Sequence, residues 1–118
     1  MSINILHLTT GEQIIGKLDE LKDMENNPMC FIVTMPMTMS IVSTDDPQSP
    51  SMNFFAWSPF ASTREFRIGF DKVISIAEPT WRVYDTYLGL VQPIHPVLGE
   101  EDFEAYKLEK KRRTKNDG

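Results

Sequence analysis

The residues able to do chemistry fall into a few groups, and spacing decides what each can do. Met35, Met37 and Met39 alternate with Pro36 and Thr38, so on a strand their thioethers share one face. Three thioethers on one face could ligate a soft ion such as Cu(I). Sites of that kind draw on more His or Cys than two histidines and one cysteine provide, so the triplet reads as adaptable filling for a core or subunit contact. His7 lies within an apolar strand pattern and His95 stands between Pro93 and Pro96; neither keeps a nucleophile or metal-ligand spacing. Cys30 falls in an apolar stretch expected to be buried and inert. There is no GxGxxG and no Gly-Lys-Ser/Thr phosphate loop. The expectation is a binding protein, not an enzyme, with no metal and no cofactor. Two polar groupings then remain. Asp23 and Asn27 stand four apart in a turn, where such side chains bond nearby backbone N–H groups. Lys110, Lys111, Arg112 and Arg113 form a basic run that is either a solvated helix end or a flexible arm for phosphate.

The elements that must position these groups follow from pattern. Ile3 to Leu8 reads as a strand, and Thr9-Thr10-Gly11 as a tight turn with glycine where φ > 0 is needed. A second strand runs from Glu12 to Leu21, interrupted at Gly16; glycine inside a strand marks a bend or a close backbone approach. After a turn over 23–28, a third strand covers Met29 to Met35, and Pro36 marks an edge or a break. Residues 43–51 are polar and proline-rich, a loop. Met52 to Trp57 is a strand broken by Ser58-Pro59, which Glu65 to Ile68 resumes, and Val73 to Ala77 is the last strand. Glu78-Pro79 opens a helix whose apolar face is Val83, Tyr84, Tyr87, Leu88 and Val91, stopped at Pro93. A second, charged helix covers Glu100 to about Arg113, acidic at its start and basic at its end.

Charge and composition narrow the partners. At 118 residues there is room for one modest core. No apolar run approaches the roughly eighteen residues of a membrane span, no signal-peptide layout opens the chain, and a single cysteine suits a reducing compartment. A cytoplasmic protein with no membrane partner is expected. Residues 1–106 carry six Lys/Arg against fifteen Asp/Glu, a balance of −9, whereas residues 107–118 carry six against two, a balance of +4. The body repels a polyanion and the tail attracts one, so no DNA partner is expected. The aromatics Phe54, Phe55, Trp57, Phe60, Phe66 and Phe70 could stack bases, but only Arg64, Arg67 and Lys72 are interleaved with them, which favours core or interface.

The glycine spacing also carries a family likeness. Gly11, a second glycine five residues on at Gly16, then Leu18, followed by Asp23 and Asn27, resembles the first motif of the Sm-like family, which includes Sm, Like-Sm and Hfq proteins. One extra residue lies between Leu18 and Asp23 relative to that pattern. The likeness is strongest to the divergent Sm-like proteins carried by tailed phages of cyanobacteria. It implies a mostly β fold, a small, strongly bent five-stranded antiparallel barrel over residues 1–78, with residues 79–118 as a C-terminal helical extension and basic tail. The helix near 79–91 would stand in for the helix such domains usually place before the first strand.

The resemblance further implies a homo-oligomeric ring, closed by strand pairing between neighbours, that holds single-stranded RNA in pockets around a pore. The family's pocket uses the Asp/Asn turn and an Arg-Gly turn. Here Asp23 and Asn27 are present; Ile68-Gly69-Phe70 matches the second turn, with the arginine displaced to Arg67 or replaced by Lys72. The position that stacks on the base falls on Glu25, which has no π-face and adds negative charge. The tail residues Lys110, Lys111, Arg112 and Arg113 complete the candidate RNA contacts. The alternative is an oligomeric structural or adaptor ring that has lost the RNA site, which Glu25 and the acidic body favour.

Overall fold

The computed structural model describes residues 2–42 and 51–117. Six strands form one antiparallel sheet: β1 (Ser2–Leu8), β2 (Gln13–Lys22), β3 (Pro28–Val42), β4 (Ser51–Ala56), β5 (Glu65–Ile68) and β6 (Val73–Ala77). A 3-10 turn, Phe70–Lys72, joins the last two, and two helices follow, α1 (Trp81–Val91) and α2 (Glu100–Asp117). The sheet runs β4-β3-β2-β1-β6, with β5 also paired to β3, and its end strands β4 and β6 do not pair with each other. The strand count is six, not five, because the chain between Ala56 and Glu65 leaves the ladder. The polar loop expected over 43–51 lies outside the described residues except at Ser51, which begins β4.

The β1–β2 connection forms as its residues dictate. Gly11 has φ +92°, its N–H donates to the Leu8 carbonyl at 2.9 Å, and the Leu8 N–H donates to the Glu12 carbonyl at 2.9 Å. The expectation that Pro36 ends the third strand is corrected: β3 continues through it to Val42. The reason is a bulge. Ile15 pairs with Met37 and Lys17 with Thr34, so Gly16 faces both Met35 and Pro36. A bulge interrupts the ladder, which is where a residue without an N–H is tolerated. Met35 takes φ +52°, uncommon for a side chain of its size. On its other edge β3 pairs with β5 over residues 31–34 and with β4 over 37–42. The gap between is bridged by Met35 N–H to the Arg64 carbonyl (2.8 Å) and Trp57 N–H to the Pro36 carbonyl (3.1 Å).

One extra residue in a strand exchanges its faces. Phe31 and Val33, before the bulge, join Leu6, Leu8, Ile14, Leu18 and Ile68 in one core cluster. Met35, in the bulge, and Met37 and Met39, after it, pack on the other cluster, where Ile3 and Ile15 meet Tyr87, Leu88 and Val91 of α1. The methionine triplet does share a face, and it fills the junction between sheet and helix.

Helix α1 begins at Trp81, two residues later than Pro79 suggests. Thr80 is its N-cap, with Oγ1 accepting from the Val83 N–H at 3.4 Å. Its expected apolar face, Val83, Tyr84, Tyr87, Leu88 and Val91, all lies in or against the first cluster. Tyr87 is fully buried, and its hydroxyl donates to the Met35 carbonyl at 2.8 Å, so the helix satisfies a backbone group that the bulge takes out of the ladder. Burial pushes the Tyr87 hydroxyl well above the usual tyrosine range, which keeps it a donor. Tyr87→Phe should therefore cost about 1 kcal/mol, the net worth of one hydrogen bond, measurable as a lower urea midpoint with an unchanged m-value.

Candidate nucleic-acid interface

The Asp23–Asn27 turn joins β2 to β3. Asp23 Oδ1 accepts the backbone N–H of Asn27 at 2.8 Å and of Glu25 at 2.9 Å, and Oδ2 accepts the Asn27 side-chain amide at 3.4 Å. Backbone bonds Asp23 N–H to Asn27 O (2.9 Å) and Asn26 N–H to Asp23 O (3.0 Å) close the loop, with Asn26 at φ +69°. Both carboxylate oxygens are engaged in the turn itself. The Asn27 N–H, with help from the Glu25 N–H and the Asn27 amide, holds the Asp23 carboxyl below the usual carboxylate range. A lowered folded pKa stabilises the turn above the ordinary value of 3.8, and that contribution is lost as pH falls through the lowered value.

Arg67 lies exposed on β5 opposite Ile32. That is five residues along β3 from Asn27, about 16 Å at about 3.3 Å per residue. Lys72 ends the 3-10 turn; its carbonyl accepts from the Thr9 N–H at 2.9 Å, and its ammonium lies 3.7 Å from Asp71. Phe70 stacks edge-on to Phe31 at 4.7 Å, which ties this turn to the start of β3. Among the four residues taken from the two family turns, only Asp23 and Asn27 therefore touch. The aromatics do not form one platform either. Phe54 packs on the helix-side core, Trp57 meets Phe66 edge-on at 5.5 Å, and Phe60 is fully exposed.

Of the two readings of the tail, helix end or flexible arm, the helix holds: α2 runs to Asp117 and is fastened to α1. Trp81, Tyr84 and Tyr106 lie 5.7–5.9 Å apart, ring to ring, and the Tyr106 hydroxyl donates to Asp85. Burial, then the bonded Asp85, pushes that hydroxyl far above its ordinary range. Lys110 reaches Asp85 at 3.4 Å, and the Arg113 guanidinium stands 4.5 Å over the Trp81 ring. Arg112 and Arg113 both bond Glu109, holding its carboxyl below the usual range, while Lys107 pairs with Glu104 at 2.7 Å. Most of the basic run is thus engaged within the helices. Lys111 and Lys115 are exposed and pair with no carboxylate among the described residues.

Two contacts had no signal in the sequence. Arg64 Nη1 donates to His95 Nδ1 at 3.0 Å across 31 positions, and Gln92 Oε1 accepts the N–H groups of Val97 (2.9 Å) and Leu98 (3.0 Å), closing the link to α2. Among the described residues no three His, Cys, Asp or Glu side chains gather as a metal site, and no helix is long and apolar enough to cross a membrane. Compared with known protein families and with curated proteins, the chain matches none.

Proposed function

We propose that the chain is a divergent Sm-like subunit, non-catalytic, that assembles edge to edge into a homo-oligomeric ring. The observation that carries this reading is the strand order. A fourth strand, split into β4 and β5, lies beside β3, the last strand lies beside β1, and a 3-10 turn connects the two. That order leaves β4 and β6 each with one edge unpaired, a surface that soluble proteins protect or use for assembly. Phe55 on β4 and Ile74 and Ile76 on β6 are 55%, 70% and 43% exposed, large apolar side chains at the two edges a ring would join.

The ring's ligand is single-stranded RNA, held weakly and through charge, not through a stacked-base pocket. Asp23 is committed to its turn, Glu25 offers no ring, and Arg67, Lys72, Lys111 and Lys115 are among the exposed cations. The adaptor reading shares the ring and drops the RNA; the acidic body and the internal pairing of Lys110, Arg112 and Arg113 favour it.

Titration with U-rich and A-rich oligonucleotides over a range of salt separates them. Single-strand binding follows log salt with a slope of about −0.7 per neutralised phosphate, so Lys111→Ala with Lys115→Ala should flatten the slope by about 1.4. No binding by the wild-type ring decides for the adaptor. Tight, U-selective binding that survives the double substitution contradicts the charge-only account.

A further inference from the structure

Between the β3 bulge, the turn from β4 to β5 and the last turn of α1 lies a cavity of about 330 Å³. Pro36 and Met37 form one wall, Trp57 and Phe66 a second, and Leu90 and Ile94 a third. Leu90 and Ile94 remain 45% and 65% exposed although they line it, so a ligand in the cavity would remove aliphatic surface from water. The size stands at the small end of ligand pockets, roughly 300–1,000 Å³.

One charged side chain lines this space, Arg64. Its backbone carbonyl is fixed by the Met35 N–H, which anchors the residue to the bulge. Its guanidinium donates one bond, to His95 Nδ1. A guanidinium has no acceptor, so the imidazole supplies the lone pair and brings no negative charge to this bond. Among the described residues no carboxylate pairs with Arg64. Glu12 bonds the Trp57 indole N–H at 3.2 Å, and neither it nor Glu65, between Arg64 and Phe66, lines the cavity. The protein therefore offers an apolar chamber with one uncompensated fork of N–H donors at its edge.

We propose that this cavity binds a small apolar monocarboxylate of the medium-chain fatty-acid class, its chain against Met37, Phe66, Leu90 and Ile94 and its carboxylate on Arg64. The guanidinium fork matches a carboxylate in two parallel bonds. A neutral ligand of the same shape leaves Arg64 without a counter-charge, and an organic cation is repelled by it. A nucleotide's sugar and base bring more polar groups than the two lining hydroxyls, Ser58 and Thr63, can bond.

Isothermal titration of the full chain with octanoate tests this, against octyltrimethylammonium and octanol. Octanoate should saturate at one per chain, the cation should give no saturable heat, and octanol should bind more weakly. Arg64→Gln keeps the backbone carbonyl that holds the bulge, and should weaken octanoate at least tenfold with an unchanged circular dichroism spectrum. Ile94→Asp, at an exposed position outside both core clusters, should do the same by placing like charge in the wall. This second variant decides the matter alone if the first does not fold. Absence of saturable octanoate binding, equal binding of the cation, or full affinity in the folded variants overturns the proposal.

Discussion

Gly16→Val should lower the melting temperature by about 10 °C or more, or leave the chain unfolded. A Cβ at this position would lie 2.6 Å from Val33 Cγ1, 3.1 Å from the Thr34 carbonyl oxygen and 3.4 Å from Pro36 Cα. Val33 is fully buried and β-branched, so its χ1 is restricted and it has little room to give way, and the remaining two atoms are backbone. Gly16 is itself buried opposite the bulge, so the added branches of valine find no space on either side. Overpacking of this kind costs about 3 kcal/mol, a large part of a small domain's total stability. Each kcal/mol moves the midpoint by roughly 4 °C at this chain length. Thermal unfolding followed by circular dichroism checks it; a soluble variant with the wild-type midpoint would show that β3 can move away from Gly16.

Ile74→Glu combined with Ile76→Glu should dissociate the proposed ring while leaving the subunit folded. Both side chains are exposed on β6, and neither belongs to a core cluster, so the isolated subunit should change by no more than about 0.5 kcal/mol. In a ring each interface loses two buried isoleucines, about 3 kcal/mol or more, and gains two carboxylates in an apolar contact. At 1.4 kcal/mol per tenfold, the association constant at each interface falls by about a hundredfold or more. Size exclusion and circular dichroism on the same sample separate the outcomes. A variant that elutes with the wild type removes β6 from the interface.

What the sequence made legible was local. Gly11 reads as the φ > 0 residue of a turn, and it is; Gly16 reads as a close approach, and it faces the backbone of Thr34 and Pro36. The α1 face of Val83, Tyr84, Tyr87, Leu88 and Val91 is legible because helical period alone selects it. Pro36 misleads because the rule that proline ends a strand holds only where the ladder is regular. The bulge that admits it depends on a glycine twenty residues earlier and on carbonyl and N–H partners from Pro36 to Arg64. The helix of the tail was legible from its charge pattern, but its docking was not: the Trp81, Tyr84 and Tyr106 rings that fasten it to α1 are brought together only by folding. For the candidate site, the turn role of Asp23 and Asn27 was legible, because such side chains bond nearby backbone N–H groups. Hydrogen bonds now commit both Asp23 oxygens to the turn.

The central claim is that the free edges of β4 and β6 meet between copies of this chain. Static light scattering coupled to size exclusion, at tens of micromolar protein and moderate salt, tests it most directly. The account predicts one species whose mass is a whole-number multiple of the 13.6 kDa subunit, three or more, held constant on dilution to low micromolar. A species of 13.6 kDa throughout that range would contradict it.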